Sequence, residues 1–203
     1  MNLKDTYNLI AEEWHEDHQS DDWWVEGTDE FCKRVPVGGS VLDIGCGGGA
    51  KSSYLANRGL TVTGIDFAEK LIAIARREVP QASFDVLDMR DIGTLTEMYD
   101  GLFAQASLLH IPKSDVQSLV QSWLTKLNSD GYLYIAVKAH QDGTPDEADV
   151  QYEKYGHSFT KFFSYFTLAE LKDLFSSLGL SIVYENTSLW GHTEWVQVIG
   201  QKT

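Results

Sequence analysis

The stretch that decides the fold is Val41–Lys51, VLDIGCGGGAK. A short apolar run carrying one acid, Asp43, passes straight into Gly45, Cys46, Gly47, Gly48 and Gly49. Glycine weakens regular structure by roughly 0.5–1 kcal/mol relative to alanine. A cluster this dense marks a place where the backbone turns tightly or lets a ligand come close. Directly after a strand, it reads as the first strand-to-helix turn of an α/β sheet.

Outward from that turn, short strands alternate with amphipathic helices. VLDI is the first strand, and residues from about 48 to 57 form a helix ending near Gly59. TVTGID is the second strand, and AEKLIAIARREV the second helix, stopped by Pro80. ASFDVLD and YDGLFAQAS are the third and fourth strands. A helix from Ser114 to about Leu127, a turn at NSDG and the strand YLYIAVK follow. This alternation predicts a parallel sheet with helices on both faces. TLAELKDLFSSLG is a further helix, with Thr167 as N-cap and Gly179 as its end. The tail, SIVYENTSLWGHTEWVQVIGQK, reads as two strands joined around Leu189–His192. With no helix between them they must run antiparallel. The expectation is a Rossmann-like α/β fold: a seven-stranded, mostly parallel sheet with an antiparallel last strand.

Two segments flank this core. Residues 1–36 read as a cap of two helices, the first from Leu3, Tyr7, Ile10 and Trp14 at helical spacing. The second follows SDDWW, which offers Ser20 as N-cap and an acidic first turn. Residues 139–166, rich in Gly, Pro and acids, read as a long excursion of the kind that forms lids. The division is thus one domain over 1–203: cap 1–36, ligand-binding core 40–138, lid or acceptor segment 139–166, closing helix and hairpin 167–203.

Composition narrows the function. The 203 residues carry a formal net charge of −14, with no run of Lys and Arg. Nucleic acid and anionic membranes are therefore disfavoured as partners, and a small neutral or cationic substrate fits better. No apolar run is long enough to span a bilayer, and the polar start is no signal peptide. Two cysteines, Cys32 and Cys46, are too few for a disulfide framework or a cysteine zinc site. The expected location is cytoplasmic.

The glycine spacing admits two ligands. Gly45, Gly47 and Ala50 satisfy the dinucleotide fingerprint. Gly45, Gly47 and Gly49 satisfy the version that binds S-adenosylmethionine. Three features favour the second. Asp43 stands where a dinucleotide fold has an apolar residue, and suits a ligand bearing an ammonium group. Asp88 closes the third strand, where a carboxylate could accept from an adenine amino group beside the Met89 N–H. The closing antiparallel hairpin is foreign to the usual dinucleotide fold.

On these motifs the chain resembles the class I S-adenosylmethionine-dependent methyltransferases that act on small molecules. VLDIGCGGG, TVTGIDFAEKLIAIAR, FDVLDM and the unit YDGLFAQASLLHIPKSDVQSLVQSWLTKLNSDGYLYIAVK match in order and spacing, and FFSYFTLAELKDLFSSLGLSIV resembles the closing part. The resemblance implies S-adenosylmethionine as cofactor and a small-molecule acceptor. It implies that Gly45, Cys46, Gly47 and Gly49 line the methionine end of the donor and that Asp43 holds its amino group. Asp66, followed by Phe67, would accept the ribose hydroxyls, Asp88 and Met89 would face the adenine, and Gln105, Ala106 and Ser107 would lie near the sulfonium. Tyr7 and Trp14 match a helical pattern that folds over the donor in relatives. The turn Leu127–Gly131 departs from the Lys-Pro-Gly-Gly of many relatives. The missing Asn/Asp-Pro-Pro-Tyr/Phe motif lowers the odds of nucleobase or amide methylation.

His110 is the candidate base, placed after the fourth strand and of a residue type that titrates near neutral pH. Packing within the fold competes with that role. His157, Tyr165 and Phe166 could meet the acceptor, or be solvated loop and core residues. His15 and His18 have metal-like spacing but no third ligand, so a solvated face is the expectation. Cys46 reads as a small residue filling a turn. Trp23 and Trp24 read as a lid or as core.

Overall fold

The computed structural model describes residues 1–19 and 21–203. Strands β1 (Ser40–Ile44), β2 (Thr61–Asp66), β3 (Ser83–Val86), β4 (Tyr99–Gln105) and β5 (Leu127–Lys138) lie parallel. β6 (Glu147–Lys154) and β7 (His157–Ser164) form a separate antiparallel hairpin. β8 (Leu180–Trp190) and β9 (Thr193–Lys202) close the main sheet. Its order is β3-β2-β1-β4-β5-β9-β8, with β9 antiparallel to both neighbours. The expected seven strands and reversed last strand are present.

The helices are α1 (Leu3–Leu9), α2 (Ala11–Asp17), α3 (Val25–Arg34), α4 (Ala50–Asn57), α5 (Glu69–Glu78), α6 (Lys113–Trp123) and α7 (Leu168–Ser177). Strand alternation sorts the core into two layers. Val41, Phe103 and Tyr134 point to one face, where Phe31 of α3 and Leu55 of α4 cover them. Leu42, Leu102 and Leu133 point to the other, beneath Trp123 of α6 and Phe175 of α7. Trp123 is fully buried and its indole N–H donates to the Met89 carbonyl at 2.9 Å. α7 starts with a complete capping box between Thr167 and Glu170, as the spacing T-x-x-E requires.

Several elements differ from the sequence reading. β5 begins at Leu127 and runs through the NSDG stretch expected to be a turn, with Asp130 at φ 63°, and α6 ends at Trp123 and not near Leu127. The first cap helix is two, because Ile10 leaves helical geometry (φ −104°, ψ 16°) and its fully buried side chain pins the corner. The N-cap role assigned to Ser20 lies outside the described residues. α3 begins at Val25, later than SDDWW suggests, with Trp24 at its N-cap. β3 is only four residues long, since Asp88 instead caps a 3₁₀ turn, accepting from the Arg90 N–H at 2.9 Å. The excursion over 139–166 is largely the hairpin β6–β7, turned at Tyr155 and Gly156, both at positive φ. Two successive positive φ values match the twist of a two-residue hairpin loop.

Candidate functional site

A cavity of about 360 Å³ opens at the carboxyl ends of β1, β2, β4 and β5. That size is within the range of small-ligand pockets. One half is built on the glycine turn. Gly45 has φ +75°, and a Cβ there would collide with Ser107. Gly47 has φ +56° and lies under the Trp14 ring. Both positions thus combine a left-handed backbone with a close approach that excludes side chains.

Asp66 ends β2 and is buried. Its Oδ2 accepts from the Gly47 N–H at 3.1 Å and its Oδ1 from the Ala68 N–H at 2.9 Å. Burial nevertheless raises its pKa to about 6. Each carboxylate oxygen keeps a lone pair for a further donor. Phe67 and Met89 stand beside it in the wall. At the end of β4, Ala106 sits at φ 53°, a conformation uncommon for a residue with a side chain. The Ser107 hydroxyl donates to the Ile44 carbonyl at 2.6 Å, locking the two strand ends together. Both amide atoms of the Gln105 side chain are buried against the cavity without a partner. Orphaned polar atoms of this kind call for an occupant.

Three expected ligand contacts lie elsewhere. Asp43 is buried under the turn, where it accepts from the Ser52 hydroxyl at 2.6 Å, and burial raises its pKa to about 7. Gly49 backs onto Ala75 of α5 and Val79 just past its end, and not onto the cavity. Asp88 is half-buried outside the cavity lining and pairs with Arg90 at 3.2 Å. Tyr7, Trp14, Gly45, Cys46, Gly47, Asp66, Phe67, Met89, Gln105, Ser107 and His110 do line the cavity. The Cys46 thiol is pushed well up by burial, which suits a turn filler and not a nucleophile.

His110 is held from both sides. Its Nδ1 donates to the Phe162 carbonyl at 2.7 Å, and its Nε2 accepts the Tyr7 hydroxyl proton at 2.9 Å. Burial pulls its pKa down to about 4. The imidazole is therefore neutral near pH 7, and its one basic nitrogen is already engaged. His15 packs over Gly48, and His18 stacks on Trp14 at 4.6 Å between centroids. Among the described residues no cluster of three metal-ligating side chains occurs.

The second half of the cavity is walled by Trp23, Trp195, Tyr152, Phe159 and Phe163. Trp23 stacks on Trp195 at 3.8 Å, while Trp24 is buried beneath Lys51. The hairpin tip is clasped to α2, because Lys154 and the Tyr155 hydroxyl both donate to Asp17, at 2.6 and 2.8 Å. His157, Tyr165 and Phe166 do not line this cavity.

Comparison with known proteins agrees with this geometry. A family model described as a methyltransferase domain matches residues 41–131. The chain thus resembles a methyltransferase domain over a little under half of its length. A ubiquinone biosynthesis O-methyltransferase of Coxiella burnetii is 33% identical over 103 residues, 49% of this chain and 43% of the relative. A trans-aconitate 2-methyltransferase of Variovorax paradoxus is 32% identical over 117 residues, 56% of this chain and 44% of the relative. The matched stretch thus spans less than half the length of these curated relatives. In fold, the chain is similar to 1,6-didemethyltoxoflavin-N1-methyltransferase of Burkholderia thailandensis, solved with S-adenosylhomocysteine. The TM-score is 0.77 at 16% identity, covering 99% of this chain and 87% of that one. It is likewise similar to magnesium protoporphyrin IX methyltransferase of Synechocystis, with TM-score 0.74, 17% identity and 99% and 98% coverage.

The cavity also holds residues that the sequence reading passed over. Lys138 and Lys161 line the cavity from β5 and β7, and Trp195 does so from β9. A signal for Lys161 was present. In YEKYGHSFTKFF, Tyr152, Phe159, Lys161 and Phe163 recur at every second position on either side of a Tyr-Gly turn, the alternation of one strand face. Among the described residues, no helix is long and apolar enough to cross a membrane.

Proposed function

We propose that this chain transfers a methyl group from S-adenosylmethionine to a small-molecule acceptor. The observation that carries the reading is the continuity of one cavity. The glycine turn and Asp66 form its donor half, and the aromatic walls of the β6–β7 hairpin and β9 form the other. When bound, the donor supplies a methyl carbon already activated by a sulfonium.

The residues fit that donor. Asp66 retains lone pairs for two ribose hydroxyls, with Phe67 and Met89 flanking the base. Gly45 and Gly47 admit the methionine end, and Ser107 fixes the β4 end against β1 at the reacting centre. Asp43 supports the turn from below through Ser52. Gln105 presents an unpartnered amide to whatever lies between the two halves. The protein's part in such an in-line displacement is alignment, exclusion of water and, where needed, removal of a proton.

The test is incubation of the purified protein with methyl-labelled S-adenosylmethionine and a small-molecule extract, followed by mass spectrometry. Label in a low-molecular-weight product, with stoichiometric S-adenosylhomocysteine, is expected. Label in protein or nucleic acid, or none transferred to any fraction, overturns the reading.

A further inference from the structure

The charge of the cavity is opposite to that of the molecule. The chain carries −14, yet Lys138 and Lys161 face the aromatic half without a carboxylate partner among the described residues. The other charged lining groups are accounted for. Lys154 is paired with Asp17 at 2.6 Å, Asp66 accepts two backbone N–H groups, and Lys51 lies over the Trp24 ring at 5.0 Å, with Asp21 as a neighbouring charge. Lys161 is 7% exposed on the inner face of β7, over the Tyr7 ring at 4.2 Å. Lys138 stands over the Phe163 ring at 3.9 Å, directly across the β5–β9 pair from Trp195.

Polar groups without partners extend the pattern. The Trp195 indole N–H and both Gln105 amide atoms are buried and have no partner among the described residues. With the two ammonium groups, the free donors are four nitrogens against one carbonyl oxygen. A ligand that satisfies this set is rich in acceptors and negatively charged. Its remaining surface meets the Trp23–Trp195 stack, Tyr152 and Phe159, which suits a flat apolar body.

Resting on the methyl-transfer reading, we infer that the acceptor is an organic carboxylate with a flat apolar body, its oxyanion held by Lys138 and Lys161. Burial first, and the neighbouring Lys138 second, pull the Lys161 pKa down to about 7, so an anion seated between them relieves both. Surface acids do not forbid this, since exposed charges beyond about 8 Å are largely screened at physiological salt.

The same ligand class accounts for the occupied imidazole. His110 Nε2 is engaged by Tyr7 and its basicity is low, so an acceptor that arrives ionised suits the site. A carboxylate oxygen attacks the methyl carbon with its own electron pair, and the carbon–sulfur bond breaks with its pair going to sulfur. The products are a methyl ester and a neutral thioether. No proton leaves, so no base is required.

The experiment is calorimetric titration of the protein saturated with S-adenosylhomocysteine, after that first titration is itself recorded. The probes are matched pairs: benzoate and benzamide, cinnamate and cinnamamide, indole-3-acetate and indole-3-acetamide. At least one carboxylate binds about tenfold or more tighter than its amide, the scale of one charge-assisted hydrogen bond. Lys161→Met and Lys138→Met each abolish that preference while keeping S-adenosylhomocysteine affinity, which also reports that they fold, and Lys161→Arg restores it in part. No carboxylate preference in any pair, or a preference that survives in both methionine variants, overturns the inference. Failure of wild type to bind S-adenosylhomocysteine overturns the donor reading instead.

Discussion

At Asp66 the carboxylate sits at a strand end with two backbone N–H donors already in place. That orients it before any ligand arrives. Asp66→Ala should weaken S-adenosylhomocysteine binding by about tenfold to a hundredfold, since a hydrogen bond to a charged group contributes about 1.5–3 kcal/mol. Unchanged affinity in a titration would remove Asp66 from the donor site. His110 makes the opposite point, because a side chain that looks reactive in sequence is locked in the fold. Burial moves its pKa from 6.5 down to about 4. As pH falls through 6.5 the unfolded chain binds a proton that the folded chain refuses until about 4, so His110 lowers stability across that window. A two-dimensional NMR titration should show no protonation of His110 between pH 8 and 5, and a midpoint near 6.5 would contradict the burial described. Its sequence position could not reveal the Tyr7 and Phe162 partners, which lie 103 and 52 residues away.

Among the elements, the core from β1 to β5 was legible because local and global signals agree. Glycine punctuation and strand alternation point to the same order of elements there, although β3 is shorter and β5 longer than read. The cap and the hairpin were less legible for a physical reason. Ile10 is apolar at helical spacing yet ends α1, because tertiary burial outweighs the local pattern. The β6–β7 hairpin hides its alternation behind acids on the solvent face and a charged Lys161 on the inner one. Asp17 joins these two elements at the cavity mouth. Its pair with Lys154 is half exposed, and such pairs contribute about 0–1 kcal/mol. Asp17→Asn should therefore leave the melting temperature nearly unchanged while speeding amide hydrogen exchange around residues 154–156. Unchanged exchange there would show that the hairpin tip stays closed without this clasp.

Over the whole molecule, charge is where sequence and structure part most clearly. A net charge of −14 suggested a neutral or cationic acceptor, but composition cannot say which few charges turn inward. Here Lys138 and Lys161 do so, with no carboxylate partner among the described residues. The fold itself was readable as a Rossmann-like sheet, and most residues singled out around the glycine turn do line the cavity. Asp43, Gly49 and Asp88 share the motif without lining the cavity, since sequence spacing gives proximity to the turn but not the side that each residue faces. The central claim is that the glycine turn admits a methyl donor and not a dinucleotide. Its most direct test is calorimetric titration of the purified protein with S-adenosylhomocysteine and, in parallel, with NAD. S-adenosylhomocysteine should bind at one site per chain and NAD should give no heat above dilution. Saturable binding of NAD with none of S-adenosylhomocysteine would contradict the account.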